Sequence, residues 1–228
     1  MPPGLRTLSL DDEQTPSREG RAEACTVALG ETVYVMGGHY GAAPLRTVER
    51  LSDGRWLPAL PMSEARRGAC AVQLGGAIYV MGGHNGESQL RSVECFRGGV
   101  WRPAPPMRTA RSGACAAVLG GRIFVMGGWD AAGAALRDVE VLRNGKWREA
   151  PPMIIARSGA SATVVDGAIT VTGGFGGVNS ACSAERFRDG EWRVTRAAPP
   201  TPKPERTCFS GRRSYCFDLL LFPGETSC

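Results

Sequence analysis

No Cys-x-x-Cys pair occurs in these 228 residues, although eight cysteines are present, so the spacing of a zinc ribbon or a thioredoxin-type redox pair is missing. Histidine is scarce. His39 and His84 are the only two, too few for the nitrogen-rich ligation of copper chemistry unless their loops converge. There is no Gly-x-Ser-x-Gly elbow, no His-Glu-x-x-His helix and no phosphate-binding P-loop. Nor is there a run of five basic residues; the net charge of +5 is spread along the chain, which speaks for solubility rather than for a nucleic-acid partner. No apolar stretch approaches the length of a membrane span, and the opening MPPGLRTLSLDDEQ lacks the apolar centre of a secretory signal. A cytoplasmic protein is expected, with the nucleus as the other compartment, and no membrane partner.

What the chain does have is a period. The first glycine of a Gly-Gly pair falls at Gly37, Gly82, Gly127 and Gly173, and a tryptophan at Trp56, Trp101, Trp147 and Trp192. Both markers return every 45 or 46 residues, the signature of a solenoid, a propeller or another repeat array. Within each copy the apolar runs are short and rich in β-branched and aromatic residues (ACTVAL and TVYVM, then ACAVQL and AIYVM), which suits strands. Turn pairs separate them: Gly30-Glu31, Gly75-Gly76, Gly120-Gly121 and Asp166-Gly167 between the first two strands, and Asp53-Gly54, Gly98-Gly99, Asn144-Gly145 and Asp189-Gly190 before the fourth. A third strand is expected around Thr47 to Leu51, Ser92 to Phe96, Asp138 to Leu142 and Ser183 to Phe187. Four antiparallel strands per copy make one sheet with two faces to bury, so neighbouring sheets must stack. With 43% apolar residues the chain can fill such a core.

The combination of apolar run, Gly-Gly, Val-Glu, Trp and a Pro-Met-containing linker ending in arginine (LPALPMSEAR, RPAPPMRTAR, REAPPMIIAR) resembles the Kelch repeat. That resemblance implies an all-β Kelch-type β-propeller, with four recognisable blades at about 21–65, 66–110, 111–156 and 157–197. Segment 1–20, through Leu5, Thr7, Leu8 and Leu10, is expected as a ring-closing strand. The divergent tail 198–228, where Arg206 and LLLFPG echo the motif, is expected as half a degenerate blade or an alternative end. Kelch rings generally hold five to seven blades, so an uncovered sheet face and self-association are expected consequences.

In the Kelch domains that this chain resembles, the arginines matching Arg21, Arg66, Arg111 and Arg157 face the channel mouth and contact acidic or amide groups of a partner, a chemistry that guanidinium forks suit. The other reading of these arginines pairs them only with Glu49, Glu94, Glu140 and Glu185, each a carboxylate on a third strand that must itself be paired. The loops after Gly-Gly carry His39 and Tyr40, His84 and Asn85, Trp129 and Asp130, and Phe175, and differ between copies while the frame does not. An unvarying frame with variable loops is how recognition is commonly mounted.

The tryptophans are read as packing between blades. Cys25, Cys70 and Cys115, with Ser161 in the fourth copy, are read as small filler on the innermost strands or, less simply, as a thiol cluster for a soft metal or an oxidant. The functional expectation is a non-catalytic protein-interaction module without cofactor. A part in substrate recognition for a ubiquitin ligase would come through another chain, because no BTB-like or F-box-like helices precede the repeats. The alternative expectation is a propeller enzyme acting on a sugar acid, of isomerase or lyase type, since some Kelch-type propellers are enzymes.

Overall fold

The computed structural model describes residues 20–177, 180 and 183–196. The expected ring-closing strand before residue 20 and the expected half-blade after residue 196 lie outside these residues.

Blade I contains β1 (Cys25–Leu29), β2 (Thr32–Met36), a small tip hairpin of β3 (His39–Tyr40) and β4 (Ala43–Pro44), β5 (Val48–Ser52) and β6 (Arg55–Ala59). Blade II follows as β7 (Cys70–Leu74), β8 (Ala77–Met81), β9 (Val93–Arg97) and β10 (Val100–Ala104), and blade III as β11 (Cys115–Leu119), β12 (Arg122–Met126), β13 (Val139–Arg143) and β14 (Lys146–Ala150). After the short β15 (Arg157–Ser158), blade IV is formed by β16 (Ser161–Val165), β17 (Ala168–Thr172), β18 (Phe175–Gly176), β19 (Ser183–Arg188) and β20 (Glu191–Arg196). Each blade is a four-stranded antiparallel meander, for example β11-β12-β13-β14. The third strands of blades I to III start one residue later than the sequence suggests, because the residue before each gives its carbonyl to the first glycine of the Gly-Gly pair, as in Gly37 N to Thr47 O at 3.0 Å.

The turn between β5 and β6 shows why its residues are there: Asp53 and Gly54 have φ of 51° and 71°. Two successive positive values define the tight turn whose twist matches the flanking strands. At the Gly-Gly pair the constraint is space as well as dihedral. A methyl group on Gly82 would come within 2.5 Å of the Arg111 carbonyl oxygen, and the next residue, Gly83, donates to that same oxygen at 2.9 Å. The glycines therefore let the end of one blade touch the start of the next.

The innermost strands β1, β7, β11 and β16 pack on one another in that order, giving a four-bladed β-propeller arrangement. No packing of that kind joins β16 back to β1 among the described residues. Three apolar clusters fill the three joints. Met36, Val48 and Met62 of blade I meet Ile78, Val80 and Phe96 of blade II; Val72, Met81 and Met107 meet Ile123, Val125 and Trp147; Phe124, Met126 and Met153 meet Ile169, Val171, Phe187 and Trp192. Each fully buried isoleucine contributes about 1.5–3 kcal/mol.

Candidate functional site

Three of the recurring arginines are, with their carboxylate partners, the best-buried charges among the described residues. Arg66, Arg111 and Arg157 have side-chain exposures of 0%, and their carboxylate partners Glu94, Glu140 and Glu185 of 5%, 2% and 0%. Arg111 Nη2 lies 2.8 Å from Glu140 Oε1, while Nη1 donates to the carbonyls of Gly127 and Asp138 at 2.8 and 3.1 Å. The carboxylate reaches outward as well. Glu140 accepts from the backbone N–H groups of Arg108 and Thr109 at 2.7 and 3.0 Å, so it ties blade III to the linker arriving from blade II. Glu94 does the same with Ser63 and Glu64, and Glu185 with Ile154 and Ile155. The tryptophans add a second tie at each joint: the indole N–H groups of Trp101, Trp147 and Trp192 donate to the carbonyls of Leu60, Pro105 and Pro151 at 2.8, 2.7 and 2.8 Å.

Burial by itself would raise the Glu94 carboxyl. The Ser63 hydroxyl and N–H, the Arg66 charge and the Glu64 N–H together outweigh it and hold the group below its ordinary value.

These contacts correct the expectation that the arginines face the mouth. Arg66, Arg111 and Arg157 point into their own sheets, where Nη1 and Nη2 are all engaged; only Nε of Arg66 and Arg111 lacks a protein partner. Arg21 is paired in the same way with Glu49, at 3.0 Å. The pairing with the repeated glutamates is the arrangement found.

In blades II to IV the residue after the arginine lines a cavity. Arg67, Ser112 and Ser158 share this cavity of about 840 Å³ at the mouth with Glu23, His84, Gln89, Trp129 and Phe175. Its floor is an arc of peptide groups: Gly68 N donates to Glu23 O at 3.0 Å, Gly113 N to Gly68 O at 2.7 Å and Gly159 N to Gly113 O at 2.7 Å. The sequence reading missed Glu23, Arg67, Gln89, Ser112 and Ser158. The signal was there, since the position after an unvarying arginine holds alanine, arginine and serine in different copies.

Of the loop residues singled out in the sequence, His84, Trp129 and Phe175 come together around the cavity. Tyr40 stands out at 68% exposure but does not line it. Asn85 and Asp130 instead shape their own loops, Asn85 Oδ1 accepting from Glu87 and Ser88 and Asp130 Oδ1 from Ala132 and Ala134. His39 Nδ1 sits 2.6 Å from Gly41 O, and His84 Nδ1 accepts from Gly86 N at 2.9 Å, so each ring is engaged within its own loop.

Cys25, Cys70 and Cys115 open β1, β7 and β11, buried and unbridged. Burial pushes the Cys25 and Cys115 thiols up to about 12. It raises Cys70 too, with Cys115 and Cys25 adding to the effect. Such groups stay protonated and are poor nucleophiles and poor ligands.

The Kelch motif matches residues 20–59, 65–108 and 110–154, more than half of the chain. The chain belongs to the Kelch motif family. The fold agrees: the solved protein described as "Structure of YjhT" superposes with a TM-score of 0.67 at 16% identity, covering 76% of this chain and 70% of that one. At that identity the likeness concerns the fold alone. No curated protein matches the chain. Kelch propellers generally bind other proteins, and this fold supports an interaction module in general.

Proposed function

We propose that this Kelch propeller is a non-catalytic module that grips a segment of another protein across the mouth of its axis. The observation that carries this reading is the cavity of about 840 Å³ to which all four blades contribute, where a repeated lining of alanines and glycines is interrupted by Glu23, Arg67, His84, Trp129 and Phe175, which differ from their equivalents in other copies. Arg67 is the cation available for a carboxylate or amide of that segment, and Trp129 and Phe175 supply aromatic surface of the kind that anchors interfaces.

The alternative, an isomerase or lyase acting on a sugar acid, would draw its acid and base from the repeated arginines and glutamates. Those groups already hold the sheets and linkers together, so they are poorly placed to exchange protons with a substrate. Unbridged thiols suit a reducing compartment, in keeping with a cytoplasmic or nuclear location. Among the described residues no helix is long and apolar enough to cross a membrane. A part in substrate recognition for a ubiquitin ligase is tested by co-capture of ligase subunits. Self-association through blade IV, where Val165 is exposed beside Ser161, Thr163 and Thr172, is the further expectation, and dimers in light scattering are its test.

The test is affinity capture from cell extract on the immobilised chain, alongside a variant carrying Arg67→Ala and Trp129→Ala. A true partner is recovered by the parent chain and lost with the variant, while thermal stability stays unchanged. Partners retained by the variant would move the site elsewhere.

A further inference from the structure

Three of the four copies carry glycine two residues after the recurring arginine, at Gly68, Gly113 and Gly159, with φ of 59°, 65° and 65°. The first copy carries Glu23 in the same left-handed conformation, at φ 54°. Residues with a Cβ rarely occupy that region, and a glycine there would be the unstrained choice. The result is a carboxylate set on the floor of the mouth. A methyl on Gly68 would lie 3.7 Å from Glu23 Oε2, so the carboxylate leans over the neighbouring blade's glycine and toward the axis.

The other glycines are roofed differently. A methyl on Gly113 would lie 3.6 Å from the Trp129 ring and one on Gly159 3.8 Å from the Phe175 ring. The mouth is therefore divided. Blades I and II present Glu23 and Arg67, and blades III and IV present two aromatic rings. Glu23 and Arg67 line one cavity, yet they form no ion pair with each other, and neither is paired elsewhere among the described residues.

We infer that Glu23 is a specificity-determining residue, and that the segment this mouth accepts carries a Lys or Arg for Glu23 together with an Asp, Glu or amide side chain for Arg67. The inference rests on the mouth reading above and narrows it. A run of acidic residues would bring a like charge against Glu23, whereas a basic side chain is met both by that carboxylate and by the faces of Trp129 and Phe175. Segments lacking the basic residue are rejected by repulsion as much as by a missing contact.

The experiment is selection from a random peptide library displayed on phage against the immobilised whole chain, its Glu23→Gly variant and its Arg67→Gln variant, each first shown to unfold cooperatively. Glu23→Gly restores the residue that the other copies use, so folding is preserved. The expected result is that the parent chain enriches peptides with a basic and an acidic or amide residue in one short stretch. Glu23→Gly loses the basic preference and binds a synthetic all-acidic peptide about tenfold tighter than the parent does, the order expected when a close like-charge contact is removed. Arg67→Gln loses the acidic preference. Parental enrichment of acidic residues alone overturns the inference while leaving the mouth reading intact. No enrichment, or enrichment unaffected by either substitution, overturns the mouth reading along with it.

Discussion

Arg66 and Arg67 are neighbours in the chain and opposites in the fold. Arg66 has a side-chain exposure of 0% and is bonded to Glu94, Glu64 and the Gly82 carbonyl. Arg67 is half-buried at the mouth, its backbone paired with His84 and its side chain lining the cavity. Strand alternation turns successive side chains to opposite sides, so one residue's difference separates a group that builds the propeller from one that is free to meet a partner. The same contrast recurs between buried Arg111 and half-buried Ser112, but not between Arg157 and Ser158, because Ser158 is buried too and its hydroxyl donates to Gly113 O at 3.2 Å.

The sharpest way to break this contrast is to remove one charge from each side of it. Arg111→Ala leaves Glu140 buried without its counter-charge and is expected to cost about 3–5 kcal/mol. Arg67→Ala is expected to stay within about 0.5 kcal/mol of the parent. Urea denaturation midpoints measure both, and comparable losses would erase the distinction between frame and mouth.

A second comparison uses the tryptophans. Trp147 is buried in the joint between blades II and III, whereas Trp56 is half-buried on blade I with no described blade before it. Trp147→Ala should cost about 3–5 kcal/mol and Trp56→Ala clearly less, again by denaturation.

Acid sharpens the frame further. Because Glu94 is held below its ordinary value of 4.5, its contribution to stability is present above that value and is lost as the pH falls through the lower, folded-state one. Stability measured from neutral pH downward should fall more steeply in the parent chain than in Glu94→Gln, which lacks the titrating group. Equal acid limbs would mean that the carboxylate is not held by its partners.

A gain rather than a loss is expected at the mouth floor. Glu23→Gly relieves a positive φ at a non-glycine residue and should raise stability by about 1 kcal/mol; a loss would show that the Glu23 side chain supports the frame.

Much of the architecture could be read before any coordinates because the features that mark it are local. Asp53-Gly54 announces its turn by the dihedrals it tolerates, and Gly82 records a backbone approach that no side chain would permit. The face of each arginine was a different problem. A guanidinium suits a buried carboxylate and an exposed partner equally well, and choosing between Arg66 and Arg67 requires the register of β15-like strand starts against the neighbouring carbonyls. Glu23 was harder still, since an exposed glutamate near an alanine carries no mark of its positive φ. Asn85 and Asp130 carry no mark of their own, because a loop that varies looks the same from sequence whether its polar side chains face outward or brace the turn.

The glutamate and tryptophan side-chain ties between blades run one way along the chain. Glu140 and Trp147 belong to blade III and hold backbone atoms of the segment before it, and Glu94 with Trp101, and Glu185 with Trp192, follow the same rule. Blades II to IV each bring their own clasp for what has already been made. A chain emerging from the ribosome can thus fasten each new module by its own side chains to a predecessor already made, and growth itself favours that order of assembly.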